Sequence, residues 1–252
     1  MKEIGGRLLY NSPLPKLSIV VPAYNEASRL PSTLVQLDEF CQRYGSAEVL
    51  VVDDGSRDAT AALVQEFARA HPVFRLLRNP GNRGKGYSVR HGMLEAAGDW
   101  ILFSDADLSS PIAEAAKLFA AVERERAAGA IGSRALDRSL VGVRQAALRE
   151  FSGRVFNLVM RLATGLPFKD TQCGFKLYRR DAAQAVFSRQ TLEGFGFDVE
   201  DLFIARKLGL KIVEVPVVWN NVEGTKVSPL NGARAFWDLL LVHWANLRGR
   251  YK

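Results

Sequence analysis

Only two cysteines, Cys41 and Cys173, occur among 252 residues, which excludes a disulfide framework, and their spacing does not suit a zinc site. So sparing a use of cysteine fits a reducing, cytoplasmic compartment. Histidine is equally scarce: His71, His91 and His243 stand too far apart to suggest a histidine metal centre. Long apolar runs are missing too. The first, Leu17–Val21, stops at Pro22, and none approaches the roughly 20 residues that a membrane-spanning helix needs. Residues 1–16 lack the apolar centre of a secretory signal. With no repeat, low-complexity tract or proline-rich linker, residues 1–252 read as one domain. What is present is a globular composition, 48% hydrophobic and 24% charged, which can bury a sizeable core and excludes global disorder. Cations are in surplus, 34 Lys and Arg against 27 Asp and Glu, so the partner classes to weigh are nucleic acid, an acidic membrane surface and phosphorylated substrates.

Leu17–Val21, Val49–Val52, Phe74–Leu77 and Trp100–Phe103 are short apolar runs closed by polar or glycine-bearing turns, and they predict buried strands. Between them, 29–44, 58–70 and 87–97 carry Leu, Val, Phe and Ala at helical spacing. The alternation predicts an α/β fold with a mostly parallel central sheet and helices on both faces. Further on, 115–128 and 145–163 read as helices, 210–218 as a strand and 232–247 as a closing helix. In such sheets ligands lie beyond the carboxyl ends of the strands. Three of those ends carry acids: Pro22-Ala23-Tyr24-Asn25-Glu26, Asp53-Asp54-Gly55-Ser56 and Ser104-Asp105-Ala106-Asp107. One such carboxylate is readily a helix cap, and Asp54 or Asp58 needs no other role. Three acidic ends at one edge point to a shared site.

Asp105 and Asp107 follow a strand at i and i+2, so both carboxylates can face one volume. Hard oxygen ligands there suit Mg²⁺ or Mn²⁺ shared with substrate phosphates, although an Asp-x-Asp by itself is also a common solvated turn. From Phe74 to Leu94 there are five cations, Arg75, Arg78, Arg83, Lys85 and Arg90, and no acid. Gly81, Gly84 and Gly86 would let that backbone approach a phosphate at the start of a helix. The stretch is neither a P-loop nor a dinucleotide fingerprint, and alone it reads as a solvated basic loop. Arg134, Arg144, Arg149 and Arg154 offer paired donors for a second anion. Asp170, Asp198 and Glu200 are candidates for positioning or general-base roles, against the plainer reading of caps and surface carboxylates.

Taken together the motifs are specific. VVPAYNEASRL at Val20–Leu30, VVDDGSRDAT at Val51–Thr60, NRGKGYSVRHGM at Asn82–Met93, FSDADLSSP at Phe103–Pro111 and GSRA at Gly132–Ala135 stand in this order. DTQCGFKLYRRDAA at Asp170–Ala183, FGFDVE at Phe195–Glu200, EVPVVW at Glu214–Trp219 and KVSPL at Lys226–Leu230 follow. The set resembles GT-A glycosyltransferases of the polyprenyl-phosphate sugar transferase group, and most of all its glucose-transferring members, over about nine-tenths of the chain. The resemblance implies one GT-A domain with a nucleotide-sugar and metal half at 17–135 and an acceptor half at 136–252. It implies a UDP-glucose donor, Mg²⁺ or Mn²⁺, and a polyprenyl (dolichyl-type) phosphate acceptor with inversion at the anomeric carbon. Pro22, Tyr24, Glu26 and Asp53 would then hold the nucleotide, Lys85 its phosphates, and Asp105 and Asp107 the metal. Arg134 and Arg149 match arginines that hold donor and acceptor phosphates, and Lys226 lies in a loop that closes over the donor. Mannosyl enzymes of the group often have Gln where this chain has Ser109. Two alternatives remain open within the resemblance, a GDP-mannose donor and a hydroxyl-bearing acceptor.

A phosphate monoester has a second pKa near 6 and arrives largely ionised, so such an acceptor requires no strong base, whereas a hydroxyl would. Asp170, then Asp198, are the carboxylates expected near the reacting carbon, as bases or as groups that orient the sugar. Nucleic acid is a poor fit, because acidic strand ends beside the basic turns would repel a phosphodiester backbone. Relatives in the group carry N-terminal anchors or C-terminal membrane spans, and this sequence shows neither. The expected closing helix has apolar and aromatic residues with basic flanks, Arg234 before and Arg248, Arg250 and Lys252 after, which suits peripheral attachment to an anionic bilayer at the cytoplasmic face. Packing of that helix on the domain's own core explains the same residues.

Overall fold

A computed structural model describes residues 2–4, 7–9, 16–142, 163–221 and 229–251. A short antiparallel ribbon, β1 (Lys2–Ile4) and β2 (Arg7–Leu9), precedes the main sheet. The apolar runs then become strands as expected, each a little longer than predicted: β3 (Leu17–Ala23), β4 (Ala47–Asp53), β5 (Phe74–Arg78) and β6 (Trp100–Ser104). The helices between them are α1 (Leu30–Tyr44), α2 (Thr60–Ala70) and α3 (Lys85–Glu95). After α4 (Ala115–Glu125) come β7 (Gly129–Ser133), β8 (Phe175–Arg179), α5 (Arg180–Phe187), α6 (Phe197–Lys207), β9 (Ile212–Pro216) and α7 (Pro229–Leu247).

The seven long strands form one sheet in the order β5-β4-β3-β6-β8-β7-β9. Every neighbouring pair is parallel except those made by β8, which runs against both β6 and β7. Period-two alternation along β3 splits the interior into two cores. Leu17, Ile19 and Val21 pack with Leu34 and Leu37 of α1 and Leu118 and Val122 of α4 on one face. Val20 packs with Val89 and Met93 of α3, Phe187 of α5 and Ile204 of α6 on the other. A strand covered on both sides is apolar at nearly every position, which explains the run that marked it, and the exception, Ser18, is buried with its hydroxyl donating to Glu48 and accepting from the Gly98 amide.

Besides the ribbon strands β1 and β2, four elements were not foreseen. The expected helix over 115–128 ends at Glu125, where Arg126 takes a left-handed φ of 50°, and the chain re-enters the sheet as β7. Gly129-Ala130-Ile131-Gly132-Ser133 has one β-branched residue, too few to signal a strand. β8 places Lys176 inside a sheet, and α6 buries Phe197–Ala205 without a polar stripe, so neither shows the usual amphipathic pattern. The short α5, the fourth of these, follows β8 directly. Apart from Ala163, the helix expected over 145–163 falls outside the described residues.

Candidate active site

Chain order turns back at β3: β4 and β5 lie to one side of it, β6 to the other. β6 pairs with β3 only as far as Val20 and Phe103, and the edge beyond that point lies at the switch in strand order, where sheets of this kind place their ligand. Pro22 sits just past the last pairing with β6, where its missing N–H costs no ladder bond on that side. The turn after β3 is sewn to the turn after β4. Asn25, in a left-handed conformation with φ 52°, accepts from the Arg57 amide at 2.8 Å, and Thr60 Oγ1 accepts from the Glu26 amide at 2.8 Å. Asp58 accepts from the amides of Ala27 and Thr60 at 3.1 and 2.9 Å, a structural role. Buried Asp53 ends β4 and accepts from the Ser56 amide at 3.3 Å on one oxygen. The Glu26 carboxylate is engaged by Arg29 at 2.7 and 2.8 Å.

The glycine-rich basic loop works differently from the sequence expectation. Asp54 accepts from Asn79 Nδ2 at 2.7 Å, the Arg83 amide at 3.0 Å and the Gly84 amide at 2.7 Å, fixing the loop to the end of β4. Gly84, with φ +111°, lies against the Glu193 carbonyl so closely that a Cβ would collide with it. A Cβ on Gly86 would stand 2.6 Å from the Leu192 carbonyl oxygen. These two glycines therefore admit another segment of the protein. The cations are largely occupied as well: Arg83 pairs with Glu193 and stacks on Tyr87, Arg75 faces Glu48 and Glu95, and Arg90 donates to the Gln190 carbonyl at 3.0 Å.

Lys85 is the cation of this loop that reaches the acidic edge, with Nζ 2.7 Å from Asp105 Oδ1. Burial works against its charge, but Asp105, Asp198 and Asp107 outweigh it and hold the ammonium above its ordinary pKa. Burial raises the pKa of Asp105, with Lys85 opposing and Asp107 adding. Asp107 turns the chain by accepting from the Ser109 amide at 2.9 Å. Space for Asp105 depends on Gly174, whose carbonyl accepts from the Asp105 amide at 3.1 Å and where any Cβ would overlap the carboxylate. Gly174→Ala is expected to displace Asp105 and lower kcat/KM by about a hundredfold, a loss typical of an ångström-scale misplacement. Thermal denaturation and steady-state rates check this together, and an unchanged rate in a folded variant would separate Asp105 from the chemistry.

On the β7 side, Arg134 and Asp170 form a two-pronged pair: Nε to Oδ2 at 2.6 Å and Nη2 to Oδ1 at 2.8 Å. The Arg134 and Gln172 amides also donate to Asp170. Glu214, from β9, accepts from the Lys169 and Asp170 amides at 2.9 and 2.8 Å and braces this corner. Burial alone would raise the Asp170 pKa, but the guanidinium and amides hold it below the usual carboxylate range. Asp198 also has a buried partner: fully buried Lys176 donates to its Oδ1 at 2.6 Å and contacts Asp201 at 3.2 Å, and Tyr178 donates to Asp201 at 3.2 Å. Glu200 is structural. It accepts from the Thr191 amide and hydroxyl, the Leu192 amide and the Tyr251 hydroxyl at 2.6–2.9 Å, which ties α6 to the 191–192 turn and to the end of the chain. Lys176, Tyr178, Asp201, Gly174 and Glu214 escaped the sequence reading. Alternation of Lys176 and Tyr178 with Phe175 and Leu177 resembles a solvated strand face, and it is buried by α6, which meets Lys176 through Asp198, and by α5, whose Phe187 meets the Tyr178 ring. Arg149 and Lys226 lie outside the described residues.

Among the described residues no group of three or more His, Cys, Asp or Glu forms a ready metal cage. The Asp105–Asp107 pair does fit a hard divalent ion. It presents oxygen donors alone and stands at the carboxyl end of β6, and ions of this kind are commonly completed by substrate phosphate and water.

Fold and edge together define a glycosyltransferase: residues 18–187 match the family described as Glycosyl transferase family 2, and the chain belongs to it. Its closer likenesses are to dolichyl-phosphate beta-glucosyltransferases, which marks it as a hexosyltransferase. It is 38% identical over 246 residues to the one from Drosophila melanogaster, covering 92% of this chain and 73% of that protein. To the Saccharomyces cerevisiae enzyme of the same name it is 34% identical, with 94% and 76% covered. Among solved structures, glucosyl-3-phosphoglycerate synthase from Mycobacterium tuberculosis, crystallised with Mn²⁺, UDP-glucose and phosphoglyceric acid, superposes with a TM-score of 0.63 at 19% identity over 90% of this chain and 79% of that one. Mannosyl-3-phosphoglycerate synthase from Rubrobacter xylanophilus gives 0.66 at 16% identity over 93% and 74%. The fold is the GT-A arrangement that these neighbours share.

Proposed function

We propose that this protein transfers glucose from UDP-glucose to a polyprenyl phosphate of the dolichyl type, with inversion at the anomeric carbon and with the help of Mg²⁺ or Mn²⁺. The observation that carries the acceptor class is the state of the two candidate bases. Asp170 is held ionised by Arg134, and Asp198 Oδ1 is taken by the buried Lys176 ammonium at 2.6 Å. A carboxylate whose pKa is depressed, as at Asp170, or whose oxygen is already occupied by an ammonium, as at Asp198, is a poor proton acceptor, so the arrangement suits a nucleophile that is already ionised. A phosphate monoester meets that requirement and a sugar hydroxyl does not. The names of the relatives favour glucose and dolichyl phosphate in the same direction.

The donor half comprises residues 17–135 and the acceptor half residues 136–252. Asp53 reads the base, with Pro22, Tyr24 and Glu26 shaping that end of the site. Asp105 and Asp107 hold the metal, which when bound neutralises charge on the departing diphosphate. Lys85 places a further positive charge beside the same carboxylates, where it favours the developing anion. Arg134, aligned by Asp170, presents its remaining donors toward phosphate, and Asp170 and Asp198 orient the sugar. Arg149 and Lys226 are assigned to the acceptor phosphate and to donor closure. The site faces the cytoplasm, in keeping with two free, buried cysteines.

Thermal denaturation with Mn²⁺ and UDP-glucose, GDP-mannose or UDP-N-acetylglucosamine separates the donors, because a ligand that binds only the folded state raises apparent stability. UDP-glucose is expected to raise Tm the most, and stabilisation by GDP-mannose alone would reject the donor. Transfer of radiolabelled glucose to a polyprenyl phosphate, with no transfer to a hydroxyl-bearing glycan, is the expected companion result.

A further inference from the structure

α7 has two apolar stripes where one would serve. Leu239, Val242 and Ala245 are buried in the domain. On the opposite side of the helix, Trp237 is 63% exposed, Leu240 60%, Trp244 47% and Leu247 84%, at i, i+3, i+7 and i+10. Such a line of two tryptophans and two leucines is unusual on a surface that meets only water. Arg248 lies over the Trp244 ring at 3.7 Å, and Arg250 is exposed just beyond. Among the described residues no helix is long and apolar enough to cross a membrane.

We propose that this outward stripe of α7 docks on an anionic bilayer, lying in the headgroup plane with its indoles at the boundary and its arginines against acidic lipids. Three features favour that occupant. Tryptophan suits the membrane boundary, where its ring meets acyl chains and its N–H meets water. Cations follow the stripe at one end, complementary to an acidic leaflet. Among the described residues the stripe is also far smaller than the roughly 20 to 30 residues a side of a stable protein interface, which disfavours a second copy of this chain. Its place in the fold supplies a use. Asp238, on the next position after Trp237, packs against Gly196 so tightly that a Cβ there would collide with it, and Gly196 caps the helix that carries Asp198. Exposed Phe195 adjoins the same point. A membrane-bound α7 would thus hold the acceptor half at headgroup depth, a consequence that rests on the proposed lipid-phosphate acceptor although the docking itself does not.

Flotation of the full chain with phosphatidylcholine vesicles, with and without phosphatidylglycerol, tests this, together with tryptophan emission and sedimentation velocity. The protein is expected to float with the anionic vesicles and its emission to shift to the blue. Trp237→Ser combined with Trp244→Ser, and separately Arg248→Glu combined with Arg250→Glu, should each weaken binding by at least about tenfold. Both double variants are expected to retain wild-type turnover of a short-chain polyprenyl phosphate dissolved in detergent, which shows that they fold. Failure to float, or a dimer that dissociates when the tryptophans are replaced, overturns the proposal. Flotation without lipid-phosphate transfer would leave the docking standing and remove the acceptor, whereas transfer without flotation would remove the docking.

Discussion

Asp107→Ala is expected to abolish metal-dependent binding of the donor and to lower kcat/KM by at least about a thousandfold, the scale on which a metal or charge-stabilising group contributes to a transition state. The size of the loss follows from how few donors the edge provides. Asp105 already shares its charge with Lys85 at 2.7 Å, so Asp107 is the carboxylate of the pair without a cation contact of that kind among the described residues. Its Oδ1 also accepts from the Ser109 amide, so alanine would loosen the turn as well. Asp107→Asn separates the two effects, since an amide oxygen can still accept from Ser109 while the charge is gone. Isothermal titration of UDP with Mn²⁺ and steady-state rates make the measurement. Normal activity in both variants would refute the metal assignment.

Lys176→Met is expected to destabilise the fold by about 3 to 5 kcal/mol, because it strips the cation from buried carboxylates and leaves them uncompensated. For a chain of this size that corresponds to a fall in Tm of roughly 10 °C or more. Pairing it with Asp201→Asn should recover part of the loss, since one buried charge is then removed along with its partner. The same cluster sets a pH dependence. Burial raises the Asp201 pKa to about 7, with Asp198 adding and Lys176 opposing. The unfolded chain ionises this group from a pKa of about 4, so as pH rises from there the unfolded state sheds a proton that the folded state retains. The contribution of Asp201 to stability is therefore fully present below about pH 4 and is lost by the time pH passes about 7. Asp201→Asn should flatten that part of the Tm profile, measured between pH 4 and 8, and an unaltered slope would place the titration elsewhere.

Much of the donor side was legible because its logic is local. A strand that ends in Asp53, or in Asp105-Ala106-Asp107, must deliver those carboxylates to the carboxyl edge, and parallel strands share that edge. The basic loop shows the limit of the same logic. Its glycines and arginines look alike whether they receive a phosphate or a neighbouring segment, and the neighbour, 192–194, comes from more than a hundred residues further along the chain. The acceptor side was harder still. Asp170, Asp198, Glu200 and Asp201 are one residue type or nearly so in the sequence. Their distinct duties arise from which partner each meets: Arg134 for the first, Lys176 for the second and fourth, and the Thr191, Leu192 and Tyr251 groups for the third.

By itself the amino-acid order determined the parallel half of the sheet, the helices on its faces and the edge where acids collect, since each follows from periodicity and strand direction within a few dozen residues. Only the tertiary structure decided which carboxylates are free to meet a ligand and which are tied into the fold, that β8 runs against its neighbours, and that α7 has an apolar stripe left over after packing. Those outcomes depend on contacts between distant segments, and burial and ion pairing are properties of the assembled neighbours that no single stretch of sequence contains.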